Sequence, residues 1–240
     1  MDTKHIVKSY DDDLSRLGNM IAEMGGLVEM QLARAVEALA NFDADAARDI
    51  VAKDKSIDAF EMEIDDFIIK VMALRQPVAR DLRSVIIGLK ISSNLERIGD
   101  YAKNIAKRTT TLSHSSMTPL LVEGPINTIS RMAQIVQQMI KNVLDAYIAG
   151  DADKADDVRA KDENVDQLYS GLFRELLTYM MEDPRNITPC THLLFVAKNV
   201  ERMGDHVTGI AEQIHFMVHG AMPDEERIKG DDTSINISNI

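Results

Sequence analysis

The sequence is defined first by what it is short of. One cysteine, Cys190, stands in 240 residues, so no disulfide can close within the chain and a metal site has a single thiolate at most to draw on. No run approaches the roughly 18 consecutive apolar residues that a membrane span needs. The opening "MDTKHIVKSYDDDL" lacks the apolar core of a secretion signal, and a cytoplasmic protein is expected. Basic residues are outnumbered 27 to 39, for a formal net charge of -12. That balance argues against a nucleic-acid partner, whose phosphates call for a basic surface, and suits cation binding better. An acidic excess also serves simply as a well-solvated surface. Glycine and proline are few, at 12 and 6, and period-two alternation is scarce, which leaves little to build a sheet from.

What remains is long 3.6-residue periodicity, and the expected fold class is all-α. Leu14, Leu17, Ile21, Met24, Val28, Ala35 and Leu39 mark the stripe of one helix. A second helix opens near "DADAARDI" and runs to about Leu74; a third follows "RQPVARD" and ends near "TTTLSHSS". The hydroxyl-rich "TTTLSHSSMTPLLVEGP" reads as a connector. The same order then returns, with a stripe at Ile129, Met132, Val136, Met139, Val143 and Tyr147, a helix from "DADKADDV" and another from about Pro184. "DADAARDIVAKDKSID" (43–58) aligns without gaps on "DADKADDVRAKDENVD" (151–166) at an offset of 108, while "NLERIGD" and "NVERMGD" are offset by 105. The expected architecture is two tandem, internally duplicated three-helix bundles, six long helices in all, over 1–115 and 116–222. The polar residues 223–240 are expected to form a flexible, mobile C-terminal tail.

Each repeat carries two acidic pairs at i, i+4, which places both members of a pair on one helix face. They are Asp54 with Asp58 and Glu96 with Asp100, then Asp162 with Asp166 and Glu201 with Asp205. When two helices fold back as a hairpin, facing residues have numbers that sum to twice the turn position. Asp54 with Asp100, and Asp58 with Glu96, both centre on Pro77. Asp162 with Asp205, and Asp166 with Glu201, both centre between Asp183 and Pro184. Each hairpin is thus predicted to bring four carboxylates level, roughly 30 Å from its turn. Crowded carboxylates repel and are costly to desolvate, so either some are protonated or a cation neutralises them. Oxygen donors favour magnesium, manganese, calcium or iron, with zinc less natural. The competing reading is plain surface ion pairing with Arg97, Arg202, Lys53 or Lys161. Gly99 and Gly204, interior glycines one residue before an aspartate, imply close approach by a neighbouring helix or by ions and their waters.

Other candidates are fewer. Glu212 and His215 form an E-x-x-H pair, but the first half has Lys107 to Thr110 at that place, which speaks against a ferritin-type oxidase. His206 is expected at the surface or behind a ligand, and Cys190 in the core. Arg75, Arg80 and Arg83 gather around the first turn, as solvated helix-end charge or a basic docking patch. Phosphate loops, nucleophile elbows and H-E-x-x-H motifs are absent.

Two repeats of three helices, with D-x-x-x-D on the second helix and E-R-x-G-D on the third, resemble the PhoU family of phosphate-transport accessory proteins. The resemblance spans about residues 10 to 220 and rests on "QPVARDLR", "NLERIGDYAKNI", "MMEDPR" and "NVERMGDHV". It implies a non-enzymatic negative regulator of the phosphate-starvation response. Such a regulator links the ATPase subunit of a phosphate ABC transporter to a sensor histidine kinase, and meets the membrane only through those partners. It further implies a homodimer and multinuclear metal clusters of iron, manganese, magnesium or zinc. One cluster would use Asp54, Asp58, Glu96 and Asp100, the other Asp162, Asp166, Glu201 and Asp205. The alternative is a carboxylate-bridged metalloenzyme, a phosphohydrolase or an iron oxidase.

Overall fold

The computed structural model describes residues 3–114 and 119–223, and among them it is helical without strands. The helices are α1 (Thr3–Ala40), α2 (Ala44–Lys53), α3 (Lys55–Arg75), α4 (Arg80–Leu112), α5 (Pro119–Ala149), α6 (Ala152–Glu182) and α7 (Ile187–His219). Six long helices were expected, and these are they, with the second divided at Asp54. The tail expected over 223–240 lies outside the described residues from 224 onward.

Repeated sequence makes repeated starts. Asp43 accepts a hydrogen bond from Ala46 N at 2.9 Å to cap α2, and Asp151 accepts from Lys154 N at 3.0 Å to cap α6. The first Asp of each "DAD" phrase is therefore a cap. At Asp54 the chain keeps helical torsions, but Ile57 N bonds back only three residues, to Asp54 O at 2.8 Å. That tightened turn separates α2 from α3, whereas α6 runs through the corresponding point unbroken.

The connector is shorter than expected. Thr109, Thr110 and Ser113 return their hydroxyls to carbonyls three or four residues back, and Thr109 and Leu112 are buried, so α4 persists to Leu112. Pro119 opens α5, where its missing N–H costs nothing, and Pro125 is carried inside that helix.

The predicted stripes face inward. Leu17, Ile21, Met24, Val28, Ala35 and Leu39 are buried in α1, as are Ile129, Met132, Val136, Met139 and Val143 in α5; Leu14 and Tyr147 pack at the margin. The sets α1–α4 and α5–α7 meet along α1 against α5 and α4 against α7, and one continuous hydrophobic core runs through both. Helices α4 and α7 are antiparallel: Arg83 abuts Gly220, Asn94 meets His206, and Arg108 meets His192. The tips of the two hairpins consequently lie at opposite ends of the molecule.

Candidate metal centres

In the first seam, Asp54 sits at the division between α2 and α3 and is 2% exposed. Its Oδ1 accepts from Gln31 Nε2 at 2.9 Å, and the same amide donates to Gly99 O at 3.1 Å. Its Oδ2 accepts from Lys103 Nζ, which also donates to Asp100 Oδ1 at 2.6 Å. Asp54 and Asp100 therefore meet as their numbering requires, and the cation between them is an ammonium. Burial disfavours that charge, but hydrogen bonds to Asp100 and Asp54 prevail and hold the Lys103 pKa above its ordinary value.

One level nearer the tip the balance reverses. Burial, then repulsion from Asp100 and Glu61, raises the Glu96 carboxyl to about 7, against the pull of Arg97. Glu61 is itself raised by burial and by Asp65 and Asp58. Asp58, half-buried, thus belongs to the same group of acids.

The second seam is drier. Asp162 and Asp166 of α6 and Glu201 of α7 are 0%, 1% and 5% exposed, and Asp205 is half-buried. Asp162 Oδ1 lies over Gly204, where an added methyl would overlap it. Glu201 Oε1 accepts from Lys198 Nζ at 2.8 Å, while its Oε2 is buried without a hydrogen-bond partner. Burial raises the Glu201 pKa; Lys198 opposes this, and Asp205 and Asp166 add to it. Gly99, by contrast, faces Ile57, whose Cδ1 would lie 3.1 Å from an added methyl.

The surface-pairing alternative fares unevenly. Lys53 pairs with Asp49 at 2.9 Å, Arg202 stands over the Tyr101 ring, Lys161 is exposed, and only Arg97 reaches a seam acid, Glu96, at 3.7 Å. Cations that hydrogen-bond seam acids include Lys103 and Lys198. These two, with Gln31 and Glu61, escaped the sequence reading. Three of the four carried a signal: Lys103 follows Asp100 by three, Lys198 precedes Glu201 by three, and Glu61 follows Asp58 by three. Gln31 betrays itself only as a polar residue amid the apolar stripe between Val28 and Ala35.

Among the described residues, no three Asp, Glu, His or Cys side chains converge as a ready-made ion cage. The donor chemistry nevertheless fits a hard cation in the second seam, which buries three carboxylates and leaves Glu201 Oε2 unengaged. In the first, Asp58 and Glu96 supply the same chemistry, while Lys103 already lies between Asp54 and Asp100.

Most remaining candidates have structural partners; the Arg80 side chain lies outside the described residues. His215 Nδ1 lies 3.0 Å from Asp156 Oδ2 and Glu212 lies 3.7 Å from Arg159, which ties up the E-x-x-H pair. His206 is half-buried, its Nδ1 2.8 Å from Asn94 Oδ1 across the α4–α7 contact. Burial lowers its pKa, against Asp205. Cys190 is fully buried, which pushes its thiol up. Arg75 bonds Asp13 at 2.8 Å.

Comparison with known proteins agrees with the duplicated geometry. The PhoU domain pattern matches twice, over residues 21–109 and 129–214. A phosphate-specific transport system accessory protein PhoU homolog of Rhizobium meliloti (strain 1021) is 46% identical over 98% of this chain and 97% of its own length. The PhoU protein of Escherichia coli (strain K12) is 37% identical over 95% and 92%. Among solved structures, PhoU from Pseudomonas aeruginosa superposes with a TM-score of 0.82 at 36% identity, covering 88% of this chain and all of that one. The phosphate transport system regulatory protein PhoU from Streptococcus pneumoniae gives 0.81 at 28% identity, covering 90% and 100%. With a pattern found once per half and relatives aligned end to end, this chain belongs to the PhoU family.

Proposed function

We propose that this chain is a regulator of phosphate uptake and of phosphate-starvation signalling, acting without catalytic turnover. The observation that carries the reading is its near full-length similarity to accessory proteins of the phosphate-specific transport system. In this reading it is cytoplasmic and dimeric. It contacts the ATPase subunit of a phosphate ABC transporter and a sensor histidine kinase, and holds the response off when phosphate is plentiful. No described helix is long and apolar enough to cross a membrane, in keeping with attachment through partners. The test is deletion of the gene followed by alkaline phosphatase assay in phosphate-rich medium. Derepression, reversed by the intact gene, is expected; unchanged repression overturns the reading.

We further propose that the seams bind metal, iron, manganese, magnesium or zinc, through Asp162, Asp166, Glu201 and Asp205 and through Asp54, Asp58, Glu96 and Asp100. Support comes from burial of acids that oxygen-seeking cations would neutralise and from the unengaged Glu201 Oε2. A bound ion would supply positive charge and tie α6 to α7, or α3 to α4. The residues do the positioning: the tightened turn at Asp54 turns its carboxylate inward, and Gly204 makes room for that of Asp162. Elemental analysis of untagged, unchelated protein beside an Asp162→Asn, Asp166→Asn, Glu201→Gln, Asp205→Asn variant decides this. Equal metal in both removes the second seam from the proposal.

A further inference from the structure

Lys103 holds a place in the first seam that the second seam fills differently. Its ammonium lies between carboxylates of two different chain segments, Asp54 Oδ2 and Asp100 Oδ1, which is where a bridging cation would sit. Gln31 completes the enclosure by donating from α1 to the other Asp54 oxygen at 2.9 Å. At the 105-residue offset Lys103 corresponds to Thr208, whose hydroxyl donates to Asp205 O of its own helix at 2.7 Å. At the 108-residue offset Gln31 corresponds to Met139, a fully buried thioether. The second seam's lysine, Lys198, stands instead at the opposite level, on Glu201 Oε1, and its counterpart in the first half is Ser93. The two halves thus repeat their acids and exchange their cations.

We infer that Lys103, braced by Gln31, is a built-in counter-ion of the first seam, so that a metal ion reaching Asp54 and Asp100 must first displace its ammonium. The inference rests on the metal-binding reading above. An ammonium donates and never accepts, so it competes with a cation for the same carboxylate lone pairs. At such distances the charge-charge repulsion in a partly buried site is large enough to separate the two states by a factor of ten or more. The first seam is therefore pre-neutralised at the Asp54–Asp100 level. At the next level the halves also differ, the second having Tyr169 where the first has Glu61. Because the two ammonium groups sit at different levels of their seams, the duplicated motif makes two sites that are not equivalent.

The experiment is Mn²⁺ binding to chelator-stripped full-length protein by equilibrium dialysis, with thermal unfolding in parallel, for wild type, Lys103→Met, Lys103→Gln and Lys103→Arg. The expected result is that both neutral variants bind Mn²⁺ tighter than wild type by about tenfold or more. Without metal they should melt below wild type, and with Mn²⁺ that deficit should close. Lys103→Arg should resemble wild type. Wild-type binding with no gain in either neutral variant overturns the counter-ion role and leaves the metal reading standing. Absence of Mn²⁺ binding by every form also overturns the inference, while the metal reading itself stands or falls on the elemental analysis above. If Lys103→Met does not fold, Lys103→Gln, which retains a donor, carries the comparison.

Discussion

Two glycines that look alike in sequence do different things. Gly204 leaves room for a fully buried carboxylate, and Asp162 has no solvent to retreat to. Gly204→Ala should destabilise by about 1–3 kcal/mol, as overpacking does. Gly99 faces the end of Ile57, so alanine's helix preference of about 1 kcal/mol offsets the tighter contact and Gly99→Ala should stay within about 1 kcal/mol of wild type. Denaturant unfolding of both variants checks the contrast; equal losses would refute it. Glu96 adds a pH signature. Its folded pKa of about 7 exceeds the ordinary 4.5, so between these values the native state keeps a proton that the unfolded chain releases. This group's contribution to stability falls as pH climbs through that window and is level above it. In protein kept in chelator, Glu96→Gln should therefore flatten the decline in melting temperature between about pH 5 and about pH 7.5. At this scale the facing of Asp54 and Asp100 was legible because facing positions on a hairpin obey simple arithmetic. Gln31 was not, because its partners Asp54 and Gly99 lie 23 and 68 residues away and no local pattern announces them.

The helices themselves follow from periodicity and capping. Asp43→Ala and Asp151→Ala each remove the acceptor for an otherwise orphaned N–H and should cost about 1 kcal/mol by denaturant unfolding. The turn between α3 and α4 holds more tension: Gln76 adopts φ 48°, and Ala79 adopts φ 50° with ψ -113°, a region that suits glycine. Ala79→Gly should stabilise the protein by about 1 kcal/mol, and a loss instead would mean the alanine methyl makes a contact that outweighs the strain. Where the sequence reading erred, local chemistry misled it. Thr109 to Leu112 were read as the start of the connector because hydroxyl residues favour turns, yet Thr109 and Thr110 bond back to α4 carbonyls while Leu112 anchors the last turn in the core. The division at Asp54 was invisible for the opposite reason. "VAKDKSID" carries no glycine or proline, and its counterpart in α6 stays continuous, so nothing local marks the tightened turn, at which Asp54 contacts Gln31 and Lys103.

For the whole molecule, duplication did not produce two independent bodies. The α1–α5 and α4–α7 faces merge into one core, and His206 meets Asn94 across the α4–α7 contact. The full chain should unfold in a single transition, and a chain ending at residue 115 should bare the apolar face of α4 and self-associate; two resolved calorimetric transitions would contradict this. The tandem halves were readable from internal alignment, whereas their fusion was not, since repeated stripes say which faces are buried but not against which helix. Because α4 and α7 are antiparallel, the Pro77 and Pro184 tips point away from each other, and each helix of 33 residues is about 50 Å long. Two bodies that each grasped one tip would be kept apart by a stiff strut. News passing between them would have to travel along its shaft, past both acidic seams.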